Sequence, residues 1–338
     1  MATILAIESS CDEMSVAILQ DGKDMLSNIV ASQIDIHKQY GGVVPEIASR
    51  KHVECVSTVL KEALEVAKIN PEDIDAIAVT KGPGLVGSLH VGMQEAKTLS
   101  LALDKPLIGV HHIAGHIYAN ALVNDIHYPC LALVVSGGHT ELVFMEKEFS
   151  FEVIGTTFDD AIGEAYDKVG RVLHLPYPGG PVIDKMAHEG KHTYDLPRPL
   201  DDGSYNFSFS GLKSAVINLK HNADQRKEEI NGNDLACSFQ DVAMDTIVTK
   251  ALKAAHDLMV KEIIVAGGVS ANKGLRERMA DADLPVLFPP MKYCTDNAAM
   301  IASAATIMYK YKQFTSLDLS VRPDYDLEKE SIGGSHER

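Results

Sequence analysis

The fold of this chain is decided by residues 131–144, Leu-Ala-Leu-Val-Val-Ser-Gly-Gly-His-Thr-Glu-Leu-Val-Phe. An apolar run is followed by a small polar turn and then by a second apolar run, which is the pattern of a β-hairpin. Serine and glycine let the backbone of such a turn approach an anion closely. The stretch therefore predicts a hairpin that can present backbone N–H groups to a phosphate, although a buried hairpin without a ligand has the same pattern.

Two other parts of the chain repeat this plan. Near the N-terminus, the apolar run 4–7 leads through the polar turn 8–13 into the alternating strand 15–19. Further along, the buried strand 262–266 leads through Gly267-Gly268 into a helix from Lys273, and such turns accept nucleotides in doubly wound folds. The repetition predicts an α/β fold with a duplicated core. This is the two-lobed architecture of actin, Hsp70 and sugar kinases, with a nucleotide in the cleft between the lobes.

The length of 338 residues exceeds the size at which one hydrophobic core keeps growing, which favours two lobes. We place an N-terminal lobe at 1–128 and a C-terminal lobe at 129–295, and expect a helix at about 296–330 to pack back on the first lobe. The remaining pattern predicts a helix at 47–67, a strand at 74–79, a helix at 91–103 and a strand at 107–110. The glycine-rich turn 81–88 lacks the Gly-Lys-Ser/Thr ending of a P-loop.

Composition restricts the possible classes of protein. The formal net charge of −16 repels nucleic acid unless a basic face or a basic partner intervenes. The sequence has neither a secretory h-region nor an apolar run near 18 residues, so we expect a cytoplasmic protein that does not enter a membrane. The five cysteines form no Cys-x-x-Cys pair, which argues against a disulfide scaffold and a thiolate zinc site.

Two histidines form the most chemically informative pair in the chain. His112 and His116 are four residues apart, which on a helix places them on one face and suits a metal ion. A metalloprotease helix carries Glu directly after its first His, whereas this chain has Ile113. Asp296, at the start of a predicted helix, is the best third ligand, although an Asp there is also a common N-cap. Two His and one carboxylate suit Fe(II), which we favour, or Zn(II) acting as a Lewis acid.

Eight motifs in order resemble the TsaD (Gcp/YgjD) family over residues 3 to 310. They are Glu8-Ser9-Ser10-Cys11-Asp12-Glu13, Gly82-Pro83-Gly84-Leu85-Val86-Gly87, 111–117, Val135-Ser136-Gly137-Gly138-His139-Thr140, Gly163-Glu164-Ala165-Tyr166-Asp167-Lys168, Tyr177-Pro178-Gly179-Gly180-Pro181, Phe207-Ser208-Phe209-Ser210-Gly211-Leu212-Lys213 and Thr295-Asp296-Asn297. One departure is Met14, where family members usually have Thr after the Asp-Glu pair. We expect the lost hydroxyl to remove a polar contact without abolishing function.

The resemblance implies an ASKHA fold and a tRNA N6-adenosine threonylcarbamoyltransferase. Such enzymes move threonylcarbamoyl from threonylcarbamoyl-adenylate to N6 of adenosine 37, beside the anticodon, in tRNAs that read codons beginning with adenine, and they release AMP. The resemblance implies one metal ion held by His112, His116 and Asp296. It implies substrate contacts at Val135, Ser136, Gly137, Gly138, His139, Asp167, Gly180, Asp184 and Asn272.

Physical chemistry gives these positions plausible roles. The exocyclic amine of adenine is a poor nucleophile, so it needs an activated carbonyl and a base, for which Asp12 and Glu13 are candidates. Both could equally be solvated turn residues. Asp167 and Asp184 suit ribose hydroxyls, while Asn272 could bind the nucleoside or cap a helix. Gly180 would let the backbone approach the sugar or base, or belong to an ordinary Pro-Gly-Gly turn, and His139 could sense phosphate or metal.

Three other functions remain open on sequence alone: a kinase or ATPase of the same fold, a scaffold that only binds nucleotide, and, disfavoured by Ile113, a zinc metalloprotease. The acidic balance predicts dependence on partners for binding tRNA. The resemblance implies a TsaB-like paralogue and a TsaE-like ATPase in a complex, with a TsaC-type enzyme supplying the adenylate.

Overall fold

The computed structural model describes residues 2–200 and 202–333, and these form two compact units. Unit 1 takes in the ranges Met1–Ile126, Phe149–Phe151 and Pro289–Arg338. Unit 2 takes in His127–Glu148 and Glu152–Phe288. The chain therefore leaves unit 1, builds unit 2, and returns to unit 1 for its last segment.

Each unit contains one five-stranded mixed sheet. The strands are β1 Thr3–Glu8, β2 Glu13–Gln20, β3 Asp24–Ser32, β4 Ala76–Gly82, β5 Leu107–His111, β6 Cys130–Val135, β7 Thr140–Met145, β8 Glu152–Thr156, β9 Glu262–Ala266 and β10 Val286–Leu287. The order is β3-β2-β1-β4-β5 in unit 1 and β8-β7-β6-β9-β10 in unit 2. In both sheets the first three strands in sequence are antiparallel neighbours and the last two add in parallel. The predicted duplicated α/β core is confirmed.

The described residues form ten α-helices. They are α1 Ile34–His37, α2 Pro45–Ala67, α3 Val86–Leu103, α4 His112–Tyr118, α5 Ile162–Val172, α6 Gly179–Glu189, α7 Ser210–Arg226, α8 Gly232–Asp257, α9 Lys273–Met279 and α10 Ala298–Lys310. No helix within the described ranges is both long enough and apolar enough to cross a membrane.

The central strands contain continuous apolar runs, as expected for strands that are covered on both faces. In β1, Leu5 and Ile7 share a core with α2 and α3, while Ile4 and Ala6 are equally buried on the alternate face. Helix α10 packs against β1 and β2. In unit 2, β6 and β9 share their core with α5 to α8. The carboxyl ends of the parallel strands, where α/β folds place ligands, therefore carry the turns that the sequence singles out.

Two sequence predictions need correction in unit 1. Helix α3 begins at Val86 rather than Val91, because Gly87 and Ser88 belong to its first turn instead of the preceding loop. Close packing explains the glycine, since a Cβ at Gly87 would lie 3.0 Å from the Cβ of Ser49 on α2. The helix expected at about 296–330 is shorter, because α10 ends at Lys310 and residues 311–326 form no helix. Met14 is fully buried in the apolar core, and the expected loss of a polar contact at this position stays a prediction.

Candidate metal centre and substrate turns

The histidine pair lies on α4, which follows β5 directly. His111 caps this helix by accepting a hydrogen bond at Nδ1 from the Ile113 N–H. All seven helical residues are buried. The rings of His112 and His116 meet edge to face with centroids 4.6 Å apart, as the four-residue spacing predicts.

Asp296 completes a three-residue group. Its Oδ1 lies 3.1 Å from Nε2 of His116 and 3.6 Å from Nε2 of His112. The N-cap of α10 is Asn297, whose side chain accepts from the Met300 N–H, so the alternative reading of Asp296 as the cap is wrong. The candidate ligand atoms of the three residues all lie within 4.8 Å of one another.

The donor set fits a divalent metal ion. Both ring nitrogens of His116 are buried and form no hydrogen bond within the described residues, although Nε2 lies 3.1 Å from the Asp296 carboxylate. Burial of such a polar group without a partner is costly, and a bound cation would remove the cost. Two imidazoles and one carboxylate with open positions suit either Fe(II) or Zn(II), so the group supports a metal without identifying it.

Glu8 orients His112 from the end of β1. Its Oε2 lies 3.1 Å from Nδ1 of His112 and also accepts a 2.6 Å hydrogen bond from the Thr80 hydroxyl. This contact leaves Nε2 of His112 directed toward Asp296, the arrangement by which carboxylates fix metal-binding histidines. Sequence reasoning missed this role, although an acidic residue ending a buried apolar strand was a usable signal.

Glu8 and His112 stabilise each other's charged forms. Burial alone raises the pKa of Glu8, but the charge of His112 and hydrogen bonds from His112 and Ser10 outweigh it and hold that pKa below its usual value. Burial alone lowers the pKa of His112, yet the negative charges of Glu8 and Asp296 raise it to about 9. A site that attracts a proton this strongly also attracts a metal cation.

Asp12 and Glu13 lie beside this group, with Asp12 in the turn and Glu13 opening β2. Burial first, and then the charges of Asp296 and Asp12, raise the pKa of Glu13 to about 9. Glu13 is therefore protonated at neutral pH when no cation is bound, and in that state it cannot accept a proton. Both residues stay candidate bases, because a bound cation would favour the ionised form of Glu13.

In unit 2, the predicted phosphate turn connects β6 to β7. Ser136 N–H donates to the His139 carbonyl, and His139 N–H donates to the Ser136 hydroxyl, so the turn is closed on itself. Gly137 and Gly138 are exposed, and Val135 ends the buried strand. Gly267 packs on this turn with φ +90°, and a Cβ there would lie 2.4 Å from the Val135 carbonyl oxygen. The structure thus brings two of the predicted nucleotide turns together.

Asp167 and Gly180 meet at the start of α6. The Asp167 carboxylate accepts from the Gly179 N–H at 2.7 Å and from the Gly180 N–H. Burial raises the pKa of Asp167 against the opposing effect of these bonds. Gly180 lies in the first turn of α6, so the alternative reading of an ordinary Pro-Gly-Gly turn is wrong.

Asp184 and Asn272 belong to one network centred on Gln240. Gln240 Nε2 donates to Asp184, and Gln240 Oε1 accepts from the Asn272 amide and from the Tyr166 hydroxyl. Asn272 caps α9, the helix-cap alternative recognised in the sequence. Gln240, only 3% exposed, was missed because a lone glutamine within a helical pattern carries no signal.

Comparison with known proteins identifies the family. A family model described as "TsaD: tRNA N6-adenosine threonylcarbamoyltransferase" matches residues 24–303. This chain belongs to the TsaD family.

Curated relatives of this TsaD-family chain agree along nearly their whole lengths. A Bacillus cereus tRNA N6-adenosine threonylcarbamoyltransferase is 58% identical over 331 residues, covering 96% of each chain. The Bacillus subtilis enzyme of the same name is 57% identical, covering 96% of this chain and 95% of its own. The protein is therefore a transferase, and the predicted tRNA-modifying activity is supported.

Solved structures share the fold at low sequence identity. HypF from T. kodakarensis matches with a TM-score of 0.64 and 13% identity, over 94% of this chain and 49% of that one. Component A of the (R)-2-hydroxyglutaryl-CoA dehydratase of Acidaminococcus fermentans matches with a TM-score of 0.56 and 14% identity, over 93% and 100%. Together with the duplicated sheet order, these matches confirm the ASKHA fold of this TsaD-family protein.

Proposed function

We propose that this enzyme transfers threonylcarbamoyl from threonylcarbamoyl-adenylate to N6 of adenosine 37 in tRNA and releases AMP. The observation that carries the proposal is the group of His112, His116 and Asp296, whose candidate ligand atoms all lie within 4.8 Å of one another, with both histidines buried. Family membership supplies the reaction, and the group supplies a place for an electrophilic catalyst.

The nucleotide part of the donor is assigned to unit 2. The turn Val135 to His139, which is exposed at Gly137 and Gly138, can place backbone N–H groups against its phosphate. The carboxylates of Asp167 and Asp184 suit the ribose hydroxyls, and Asn272 suits the nucleoside. The two carboxylates already accept hydrogen bonds from Gly179, Gln240 and Lys273, so the network is preorganised.

The acyl part reacts at the group in unit 1. A divalent ion held by His112, His116 and Asp296 would supply a Lewis acid for the carbamoyl oxygen, with Fe(II) favoured over Zn(II). Asp12 or Glu13 accepts the proton from N6 as the N–C bond forms and the C–O bond to the phosphate breaks. Glu8 keeps His112 in the tautomer whose Nε2 faces Asp296. Ile113 is buried in the core, so an apolar side chain takes the position where a metalloprotease has its catalytic Glu.

Partners are part of the proposal. Because the net charge is −16, we infer that tRNA is held with the help of a TsaB-like paralogue and a TsaE-like ATPase, and that a TsaC-type enzyme supplies the adenylate. From these reactions we infer that the protein acts in the cytoplasm.

The test is reconstitution with tRNA, threonine, bicarbonate, ATP and the proposed partners, followed by mass analysis of the nucleosides. Threonylcarbamoyl-adenosine should form with the intact chain and fail to form with His116→Ala. His256→Ala is the matched control, because this histidine is exposed and contacts only the surface residue Asp283 among the described residues. No product from the metal-loaded complex would refute the proposal, and steady ATP turnover without tRNA would favour a kinase or ATPase.

A further inference from the structure

The last segment of unit 1 lies against β5, which leads into the metal-binding helix α4, and against the turn after β4. We name residues 315–332 the C-terminal strap. It begins where the Thr315 N–H donates to the Leu107 carbonyl at 2.8 Å, beside β5. It ends where the Ile332 N–H donates to the Phe149 carbonyl at 2.9 Å.

The strap fits tightly against the turn after β4. The Arg322 N–H donates to the Lys81 carbonyl at 2.7 Å, and the Gly84 N–H donates to the Pro323 carbonyl at 3.1 Å. A Cβ at Gly82 would lie only 1.8 Å from the Arg322 carbonyl oxygen, and its φ is +149°. Only glycine allows this approach, so the sequence of the turn is matched to the strap.

A buried ion pair secures the strap. Lys81 Nζ lies 2.6 Å from Glu330 Oε1, and the two side chains are 10% and 4% exposed. Lys81 Nζ also lies 5.1 Å from the centre of the Tyr325 ring, with the Arg322 guanidinium 4.8 Å from the same ring. Removal of one partner from such a pair leaves an uncompensated buried charge, which loosens whatever the pair holds.

The strap reaches the metal helix through His111. Nδ1 of this ring accepts from the Ile113 N–H in the first turn of α4, so Nε2 carries the proton and donates to the Tyr325 carbonyl at 2.8 Å. Helix α4 has only seven residues, and a helix this short is not stable by itself. Its first turn therefore depends on this cap and on the strap that holds the cap.

We propose that the C-terminal strap positions the metal centre, with His111, Lys81, Glu330 and the Tyr325 carbonyl fixing the first turn of α4 and hence the direction of His112. These are positioning residues, since none of them belongs to the three-residue group. The inference rests on the proposed metal centre.

Four variants of this chain test it. Glu330→Gln breaks the buried pair, and His111→Asn keeps a helix cap but cannot reach the Tyr325 carbonyl. Asp324→Asn is the control, because it removes the same charge from an exposed position of the strap. Zn²⁺ dissociation constants come from calorimetry, and amide hydrogen exchange of α4 is measured in the metal-free proteins.

We expect Zn²⁺ binding to weaken about tenfold in Glu330→Gln and His111→Asn and to stay within about twofold in Asp324→Asn. Exchange at the α4 amides should accelerate in the first two variants, while the amides of unit 2 keep their protection. Lys81→Arg keeps the positive charge beside Glu330, so this variant should bind Zn²⁺ with near-normal affinity. Unchanged affinity and unchanged α4 exchange in Glu330→Gln and His111→Asn would overturn the inference. Failure of the intact chain to bind Zn²⁺ would refute the metal centre instead, and the exchange data would still decide the role of the strap.

Discussion

At the scale of single residues, Glu8 shows how a buried charge is justified by its partners. Its carboxylate is fully buried, yet it contacts His112, Thr80 and the Ser10 N–H. Each contact replaces hydration that burial removed. The residue is therefore tolerated in the core because it serves the histidine beside it.

Replacement of Glu8 by Gln should weaken metal binding about tenfold, because the neutral amide no longer fixes the His112 tautomer by charge. Zn²⁺ calorimetry measures the effect. Glu95→Gln, which changes a carboxylate on α3, is the control and should leave the affinity unchanged. Equal affinities for Glu8→Gln and the intact chain would show that His112 is oriented by other contacts.

In contrast to Glu8, the Glu141 carboxylate has no hydrogen bond or ion pair within the described residues that offsets its burial. It lies partly buried on β7, and burial raises its pKa to about 7. Because this is above the ordinary value of 4.5, the folded chain binds the proton more tightly than the unfolded chain. Stability therefore falls as pH rises from about 4.5 to about 7.

Substitution Glu141→Gln should raise the free energy of unfolding at pH 8 by about 1–2 kcal/mol and change it little at pH 4. The partial exposure of the side chain keeps the expected gain below the full value of the shift. Urea titrations at the two pH values give the measurement, with Glu152→Gln on the exposed edge strand as control. A gain of equal size at both pH values would argue against the carboxylate as its source.

At the scale of elements, the turns after the parallel strands are matched to the strands they touch. Gly267 has φ +90° and presses on the Val135 carbonyl, whereas its neighbour Gly268 has open space where a Cβ would stand. The contact with β6 therefore requires glycine at position 267 but not at position 268.

Gly267→Ala should lower the free energy of unfolding by about 2 kcal/mol or more, since strain and a backbone clash add together. Gly268→Ala should be neutral within about 0.5 kcal/mol. Urea denaturation compares the two. Similar losses in both variants would mean that the turn, rather than the contact with β6, sets the requirement.

The cap of α10 joins helix stability to the metal ligands. Asn297→Ala should cost about 1 kcal/mol and also weaken Zn²⁺ binding, because Asp296 precedes the cap directly. Asn231→Ala removes the cap of α8 and should cost a similar amount without changing the affinity. Denaturation and calorimetry on both variants separate the two effects, and unchanged binding in Asn297→Ala would detach the cap from the ligand.

At the scale of the whole molecule, the two hydrophobic cores described above each draw their residues from one unit. All three candidate ligands lie in unit 1. A ligand stabilises the folded state in which its site is formed, so we expect the ion to add protection mainly in unit 1.

Zn²⁺ at about 100 times its dissociation constant should stabilise unit 1 by about 2.7 kcal/mol. Amide hydrogen exchange should show the added protection around α4 and the start of α10, and chelation should reverse it. His116→Ala should show none. Equal added protection in both units would contradict this prediction and would indicate that the two units unfold in one cooperative transition.

The sequence by itself determined the fold class and where the small polar turns follow buried strands. Alternation, helical period and glycine position are local properties, so the hairpins, β9 and α4 could be predicted from adjacent residues. The 112 and 116 spacing likewise follows from helix geometry alone. The TsaD resemblance then supplied the reaction class that the family comparison supports.

Only the tertiary structure decided which distant residues meet. Nothing local in the sequence links Glu8 to His112, Gln240 to Asn272, or Tyr325 to His111, because each pair is joined by the packing of elements far apart in the chain. The Asp296 helix start was visible in sequence, but the cap proved to be Asn297, since backbone direction at the helix end selects the capping residue. Local periodicity fixes elements, whereas contacts between elements depend on how buried surfaces fit together.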